Sequence, residues 1–258
     1  AGLEDAFVEF AGRVDPAGFV VTCADDPGAR RFAARVPGTV YTYGTAEDAD
    51  LRLVDVVSSA SGVRYRAVLN GESLGEINLP SPGRHLGLNS AAAALVALKL
   101  GLPIQVITEA LAAFPGVRRR FELKGVVGGV RVYDEYAYHP TSMNFAMETL
   151  REVAGDGRLI VVFQPYRVYR TRDFEAEIAA ALSLADEAVI MEVFGPGEVR
   201  EPGQGGIALT AAVSLPDDRK IFVPSWEDVP GEVARRARAG DVVVTMGAPP
   251  ISLMGDEV

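Results

Sequence analysis

Short apolar, β-branched runs alternate with helix-forming segments over the second part of the chain, and this alternation limits the possible folds more than any other feature. The runs that predict strands are 130–133, 159–163, 187–192, 220–223 and 241–246. The segments between them that predict helices are 142–152, 173–184, 208–213 and 229–239. This order predicts a largely parallel sheet that is covered by helices on both faces. Ligands of such sheets bind at the carboxyl ends of the strands, so a site is expected there.

The first part of the chain has a different pattern, and Pro115-Gly116 marks the boundary between the two. Helices are predicted at 3–14, 27–36, 90–100 and 104–114, and short strands at 18–23 and 39–43. Three further strands, at 52–57, 64–69 and 76–79, predict an antiparallel meander. The pair Asn70-Gly71 favours a tight hairpin turn inside that meander. We therefore predict two α/β domains, over residues 1–115 and 116–258.

Composition excludes several classes of protein. The net charge of −10 argues against nucleic-acid binding through a broad basic surface. No apolar run is long enough to span a membrane, and the acidic start does not resemble a signal peptide, so a cytoplasmic protein is expected. One cysteine and two histidines leave no material for a disulfide framework or a conventional zinc site. We predict no bound metal from these residues alone.

Five motifs in order along the chain resemble those of a known family. They are Pro82–His85, Phe114–Glu122, Asp134–Thr141, Phe163–Arg167 and Gly240–Ala248. Together they are similar to the Mur ligases, and most similar to the branch that adds L-alanine as the first residue of the peptidoglycan stem peptide. The resemblance implies a partial central domain with its antiparallel meander, followed by a six-stranded, Rossmann-like C-terminal domain.

The resemblance also implies ATP-dependent formation of an amide bond, in which an amine attacks an acyl phosphate, with ATP and Mg²⁺ as cofactors. The sequence contains no Gly-x-x-x-x-Gly-Lys-Ser/Thr pattern, which in such enzymes binds the phosphates of ATP. We therefore expect that this chain alone does not run the ligase reaction. Because the central domain of the family continues upstream, an exposed apolar face and a homodimer through the first domain are also expected.

The motifs depart from the family pattern at positions that line the catalytic cleft. Glu135 stands where the family has Asp, Tyr138 and Tyr166 stand where it has His, and Leu86 stands where it has Asn. These departures favour an alternative, an ATP-independent enzyme or binder that uses the altered cleft on a small molecule. A catalytically inactive interaction module is the third hypothesis.

Glu135, Tyr138 and His139 are the candidate catalytic residues. They follow a predicted strand directly, where a parallel sheet places its ligand site. A carboxyl, a phenol and an imidazole can act as general acids and bases, and burial can raise the pKa of Glu135. The alternative is a packing role, in which the tyrosines lie between domains and His139 caps the next helix.

A second group of candidates is predicted to bind the substrate. Arginine and tyrosine suit an acidic or aromatic small molecule through bidentate hydrogen bonds and ring contacts. The group consists of Tyr136, Tyr166, Arg167, Tyr169, Arg170 and Glu192. The resemblance implies that the arginines orient a substrate carboxylate, whereas the alternative is an exposed loop with Arg172 paired to Asp173.

Two residues are assigned to the cofactor by resemblance alone. Arg120 matches an arginine that contacts ATP in the family, and Asn89 matches a residue near the adenine. The alternatives are a solvated hinge between domains for Arg120 and a structural hydrogen bond for Asn89.

Overall fold

A computed structural model describes residues 2–199, 201, 203–248 and 250–256. The chain divides into two compact units, Ala1–Pro115 and Gly116–Val258. Among the described residues, no helix has both the length and the apolar character needed to cross a membrane.

The first unit contains one mixed sheet of five strands in chain order. The strands are β1 (Phe19–Cys23), β2 (Thr39–Gly44), β3 (Leu51–Ser59), β4 (Gly62–Leu69) and β5 (Glu72–Leu79). The helices are α1 (Gly2–Ala11), α2 (Pro27–Ala33), α3 (Arg84–Lys99) and α4 (Ile104–Ala112). The strands β1 to β3 are parallel, and β3, β4 and β5 form an antiparallel meander as predicted.

Local chemistry explains the ends of several elements in the first unit. The side chain of Asp26 accepts the N–H of Ala29 at 2.6 Å and so caps α2, which begins at Pro27. Asn70 and Gly71 have φ of 51° and 90°, the left-handed pair that a two-residue hairpin needs. The helix α3 begins at Arg84, six residues before the predicted start at Ser90. Its true beginning was not predicted because no capping side chain directly precedes it in the sequence.

The second unit contains a six-stranded sheet in the order β10-β9-β8-β11-β7-β6. Its strands are β6 (Glu122–Val127), β7 (Val130–Glu135), β8 (Leu159–Gln164), β9 (Glu187–Ile190), β10 (Lys220–Phe222) and β11 (Val242–Gly247). Its helices are α5 (Pro140–Ala154), α6 (Val168–Asp173), α7 (Glu175–Leu182), α8 (Gly206–Ala212) and α9 (Val229–Arg236). All strand pairs are parallel except β6 with β7, so the predicted α/β fold class is confirmed.

Two predictions about the second unit need correction. The edge strand β6 was not located from the sequence, because its residues are half-exposed and lack the continuous apolar run of the inner strands. The helix predicted over 173–184 is α7, which spans Glu175–Leu182. The sequence does not predict the short helix α6 (Val168–Asp173), which precedes α7 and meets it at Phe174 with φ of −121° and ψ of 24°. As a result, Tyr169 and Arg170 lie on a helix and not on a loop.

The core of the second unit fixes the strand ends that carry the site. Every residue of β8 and β11 is buried, and these two strands lie next to each other in the middle of the sheet. Their carboxyl ends are level, since Gly247 pairs with Gln164 and Met246 pairs with Phe163. Glu135 at the end of β7 pairs with Met246, so three adjacent strands end side by side.

Candidate functional site

Two buried carboxylates end strand β7, and each is paired with one arginine. Asp134 and Glu135 are only 1% and 2% exposed. Arg119 Nε donates to Asp134 at 3.1 Å, and Arg120 Nη1 donates to Glu135 at 3.1 Å. The hydroxyl of Thr245 in the adjacent strand donates to Asp134 at 3.0 Å. The consecutive residues Arg119 and Arg120 are therefore bound to the end of β7.

Glu135 also shapes the backbone that carries Arg120. Its second oxygen accepts the backbone N–H of Phe121 at 3.0 Å. Arg119 and Phe121 have positive φ of 62° and 50°, which is uncommon for side-chain-bearing residues. The N–H of Arg119 donates to Glu122 at 2.7 Å, which stabilises the same turn. Two carboxylates thus hold the backbone on either side of Arg120, whose side chain stays 45% exposed.

Burial raises the pKa of Glu135 above its ordinary value, and this confirms the direction expected from the sequence. The N–H of Phe121 and the charge of Arg120 act in the opposite direction and do not cancel the effect. Both oxygens of this carboxyl have partners in the loop. Its geometry is therefore that of a group that holds Arg120 in place.

An aromatic row runs across the carboxyl edge of the sheet, and we define it as Tyr136, Tyr138, Tyr166 and Phe194. The ring centroids of Tyr136 and Tyr138 are 5.4 Å apart, and those of Tyr138 and Tyr166 are 5.7 Å apart, both with the edge of one ring against the other. Tyr166 and Phe194 are stacked at 6.3 Å. Tyr136 and Tyr138 follow β7, Tyr166 follows β8 and Phe194 follows β9. The row therefore joins the ends of three strands.

Arginines lie against this row. The guanidinium carbons of Arg119 and Arg167 are 4.5 Å and 5.2 Å from the ring centres of Tyr136 and Tyr166. Arg170 on α6 lies 4.8 Å from the ring of Tyr138 and 5.9 Å from that of Tyr166. Contacts of a guanidinium with an aromatic face are favourable, and they fix the plane of the cation.

One nitrogen of Arg170 is buried without a hydrogen-bond partner, namely Nη1. Arg167 of the same segment is different, because its guanidinium reaches Glu198 and the carbonyl of Pro196. A buried N–H without a partner is costly, and proteins satisfy almost all such groups. The position of Arg170 therefore suits an anion that supplies the missing acceptor.

The connection from β8 to α6 is fixed by hydrogen bonds to the next crossover. Arg167 has a φ of 72°, and its N–H donates to the carbonyl of Phe194 at 3.0 Å. The N–H of Val168, at the start of α6, donates to Glu198 at 2.7 Å. The carboxylate of Glu198 thus caps the helix that carries Arg170.

The remaining candidates have other partners. His139 precedes α5, forms no side-chain cap there and lies with its ring 5.1 Å from that of Phe174. Glu192 accepts the N–H groups of Val193 and Gly206 at 2.8 Å and 3.1 Å. Tyr169 is 49% exposed.

The structure thus brings together part of the predicted set. Tyr136, Tyr138, Tyr166 and Arg170 form one continuous set of contacts, which Arg167 joins through Tyr166. Glu135 contacts Arg120, whereas His139 and Glu192 contact other groups. Asn89 is an exposed residue of α3 in the first unit.

Sequence reasoning assigned no role to Gln164, the last residue of β8. Its side chain is 8% exposed, and its Oε1 is buried without a hydrogen-bond partner. The signal was one polar residue at the end of the apolar run 159–163. Arg119 was also missed as the partner of Asp134.

The described residues contain no group of three or more His, Cys, Asp or Glu side chains that could hold a metal ion. Asp134 and Glu135, which directly precede Tyr136 of the aromatic row, are both engaged by arginines. We therefore assign no Mg²⁺ ligand in the described part of the chain.

Comparison with known families gives two matches in chain order. Residues 2–97 match the Mur ligase middle domain, and residues 119–249 match the Mur ligase glutamate ligase domain. The chain is 67% identical over 261 residues to the UDP-N-acetylmuramate–L-alanine ligase of Salinispora arenicola, covering 100% of this chain and 51% of the relative. It is 65% identical to the same enzyme of Salinispora tropica, with the same coverage.

Solved structures give the same result for the fold. The UDP-N-acetylmuramate–alanine ligase of Thermotoga maritima superposes with a TM-score of 0.78 at 25% identity, over 98% of this chain and 52% of the other. A MurF ligase of Thermotoga maritima in complex with ADP has a TM-score of 0.73 at 21% identity, over 97% and 55% of the two chains, and so shows the fold alone. The chain spans about half the length of the curated relatives that it matches.

Proposed function

Because this chain belongs to the Mur ligase family, we propose that it carries the amino-acid-binding part of a UDP-N-acetylmuramate–L-alanine ligase. The observation that carries the proposal is the buried, unpartnered Nη1 of Arg170 beside the rings of Tyr138 and Tyr166. The 67% identity to a relative of that name supports L-alanine as the substrate.

Arg170 receives the carboxylate of the amino acid in this proposal. A guanidinium binds a carboxylate through parallel N–H donors, and such charge-assisted bonds are stronger than neutral ones. The contacts with the rings of Tyr138 and Tyr166 fix the plane of the guanidinium. Arg170 then holds the amino acid by the end that does not react and leaves the amine free to be directed elsewhere.

In this proposal, Arg120 of the second unit contacts ATP. It is half-exposed, and its orientation is fixed by Glu135, so an anionic phosphate can reach it from solvent. ATP, when bound, supplies the phosphoryl group that activates the carboxylate of the sugar substrate. Glu135 then acts through Arg120 as a positioning residue, since a role in proton transfer requires it to leave both of its partners.

Tyr138 and His139 keep their proposed acid/base roles as hypotheses for mutagenesis. Tyr138 contacts Arg170, whereas His139 contacts Phe174, so the two residues have different surroundings. Tyr138→Phe removes the phenol oxygen and keeps the ring, and His139→Ala removes the imidazole. Turnover that is unchanged in both variants would exclude acid/base chemistry by these groups.

The binding part of the proposal is tested by calorimetry on the purified chain, with L-alanine and with ATP in the presence and absence of Mg²⁺. L-alanine is expected to bind the wild type and to bind Arg170→Met at least tenfold more weakly. Arg172→Met is the matched control, because Arg172 lies on the same helix, is 61% exposed and pairs with Asp173. Equal loss in both variants would contradict the proposed role of Arg170.

The catalytic part is tested by an activity assay of the chain alone and of the chain mixed with the upstream half of the Salinispora arenicola relative. If the amide product forms from UDP-N-acetylmuramate, L-alanine and ATP in the mixture but not with this chain alone, the result supports the ligase proposal. It also supports the expectation that this chain does not act by itself. Product from this chain alone contradicts that expectation.

The alternative function is an ATP-independent enzyme or binder of a small carboxylate. The observation in its favour is that the unpartnered Nη1 of Arg170 would serve any small anion. Binding of aromatic or acidic carboxylates in place of L-alanine, with no effect of ATP, would support this alternative.

Self-association through the first unit is a separate proposal. The helix α1 exposes the apolar side chains of Leu3, Phe7 and Phe10 by 74%, 55% and 70%. Exposed apolar patches mark association surfaces. Sedimentation of the wild type and of Leu3→Ser/Phe10→Ser is expected to show a dimer and a monomer, respectively, and a monomeric wild type would contradict the proposal.

A further inference from the structure

Gln164 ends the central strand β8 with a buried side chain that the ligase proposal does not yet use. The residue is 8% exposed, and Oε1 is buried without a donor. A buried acceptor left without a donor destabilises the folded state, and native structures rarely contain one. The two groups left in this state among the described residues are Gln164 Oε1 and Arg170 Nη1.

Several donors at this edge of the sheet are engaged by acceptors other than Gln164. Arg119 donates to Asp134 and to the carbonyl of Gly247, and the hydroxyl of Thr245 donates to Asp134. The N–H of Phe121 donates to Glu135. A donor for Gln164 must therefore come from outside this set.

The backbone of Gln164 lies too close to the adjacent strand β11 for a side chain at the paired position. Gly247 is its partner in the register of β11, and it has a φ of 143°. A Cβ atom at Gly247 would lie 2.7 Å from the carbonyl oxygen of Gln164, which is closer than such atoms approach. Because this residue is glycine, β11 places no side chain of its own beside Gln164 at this register position.

The two unpartnered groups are complementary in type and near in sequence. Gln164 offers an acceptor at the end of β8, and Arg170 offers a donor on α6, the helix that follows directly. Tyr166 lies between them in sequence, and its ring contacts Arg170. An amino acid carries one group for each, since its ammonium donates N–H bonds and its carboxylate accepts them.

We propose that Gln164 is a specificity-determining residue whose Oε1 accepts an N–H of the amine of the incoming amino acid. The inference rests on the proposed function, in which Arg170 holds the carboxylate of the same molecule. A side-chain amide oxygen accepts a bond from either the ammonium or the neutral amine. Gln164 therefore keeps the amine oriented when the amine loses a proton, and it rejects carboxylates that lack an amine.

The experiment compares L-alanine with propionate, which has the same carboxylate and methyl group but no amine. Affinities for both are measured by calorimetry for the wild type, for Gln164→Met and for the control Gln105→Met, which changes an exposed residue of α4. The wild type and the control are expected to prefer L-alanine by about tenfold or more, as for a hydrogen bond to a charged group. Gln164→Met is expected to lose most of that preference and to bind propionate as before.

Thermal unfolding adds a second readout that a structural role does not share. Methionine has a similar volume and needs no donor, so Gln164→Met is expected to keep or raise the Tm while it loses the preference for L-alanine. If Gln164→Met lowers the Tm and leaves the preference unchanged, the proposal is overturned and Gln164 is structural.

A measurement on the wild type covers the case in which Gln164→Met does not fold. The side-chain amide signals of Gln164 are followed by NMR during addition of each compound. A shift with L-alanine and none with propionate supports the proposal, whereas equal responses overturn it. Failure of the ligase proposal looks different, because L-alanine then fails to bind the wild type or binds Arg170→Met equally well.

Discussion

The two ends of the sheet in residues 116–258 differ in how their buried polar groups are paired. At the amino ends of the strands, Arg158 donates to Asp241 and to Glu187, and Arg236 donates to Glu187 and to Glu232. The side chains of these three carboxylates are 6–12% exposed, and each has at least one arginine partner. This end of the sheet is closed by its own side chains.

At the carboxyl ends, the pairing is incomplete. Asp134 and Glu135 have arginine partners, but Gln164 and Arg170 each bury a polar atom without one. The same fold thus pairs the buried polar groups at one end of its sheet and leaves two polar atoms without partners at the other. The comparison teaches that unmet hydrogen-bonding groups, more than the number of charges, separate a site from a structural network.

The largest effect is expected from loss of the ion pairs that Arg158 forms at the amino ends of the strands. Arg158→Met is expected to lower the free energy of unfolding by about 2–4 kcal/mol, because it leaves Asp241 and Glu187 buried with fewer donors. Asp241 keeps the N–H of Arg238 at 2.8 Å, which limits the loss. Urea denaturation measures the change.

The matched control for that variant is Arg235→Met. Arg235 pairs with Glu232 on the same side of the sheet but is 69% exposed. Its loss is expected to change the free energy of unfolding by less than about 1 kcal/mol. If the two variants were equally stable, the amino end would not be the tightly paired network described above.

The next largest effect is expected at the carboxyl ends of the strands, where a substitution is expected to weaken ligand binding with little change in stability. Arg170→Met is expected to weaken L-alanine binding by about 10–100-fold, the worth of a hydrogen bond to a charged group. Its free energy of unfolding is expected to change by less than about 1 kcal/mol, because the variant removes a buried donor that has no partner but also loses the favourable contacts with the rings of Tyr138 and Tyr166. A loss of stability as large as that of Arg158→Met would show that both ends are structural.

The sequence predicts the fold of the second unit well where strands are buried on both faces. The apolar runs at 159–163 and 241–246 lie within one residue of β8 and β11 at each end. The half-exposed β6 gave no such run, since Val126 and Val127 are 60% and 68% exposed. Its signal was the pair Gly128-Gly129, whose φ of 58° and 81° make the hairpin turn.

The site was predictable as a set of residues and not as a set of partners. Parallel strands end together, so the polar residues after β7 and β8 could be placed at one edge from the sequence. The pairing of Arg120 with Glu135 could not be predicted, because it depends on positive φ at Arg119 and Phe121. Neither residue type favours that conformation. The unmet state of Gln164 is also a property of the packed structure.

The smallest predicted effect is a difference in sign between the two ends as pH changes. Burial raises the pKa of Glu135 above 4.5, so folding favours its protonated form. The folded state then binds more protons than the unfolded state, and the stability contributed by Glu135 falls as pH rises from 4.5 through the raised pKa. At Asp241 burial is outweighed by the hydrogen bonds from Arg158 and Arg238, and the pKa is lowered below 3.8. Its contribution is present above 3.8 and is lost as pH falls through the lowered pKa.

These opposite slopes are measured by urea denaturation of the wild type, Glu135→Gln and Asp241→Asn at several pH values. The wild type is expected to lose stability relative to Glu135→Gln as pH rises from 4.5, because the glutamine does not titrate. Relative to Asp241→Asn, the wild type is expected to lose stability as pH falls below 3.8. If both differences had the same sign of slope, the carboxyl of Glu135 would be as well stabilised in its charged form as that of Asp241. The contrast between a closed and an open end would then not extend to the charged groups, and it would rest on Gln164 and Arg170 alone.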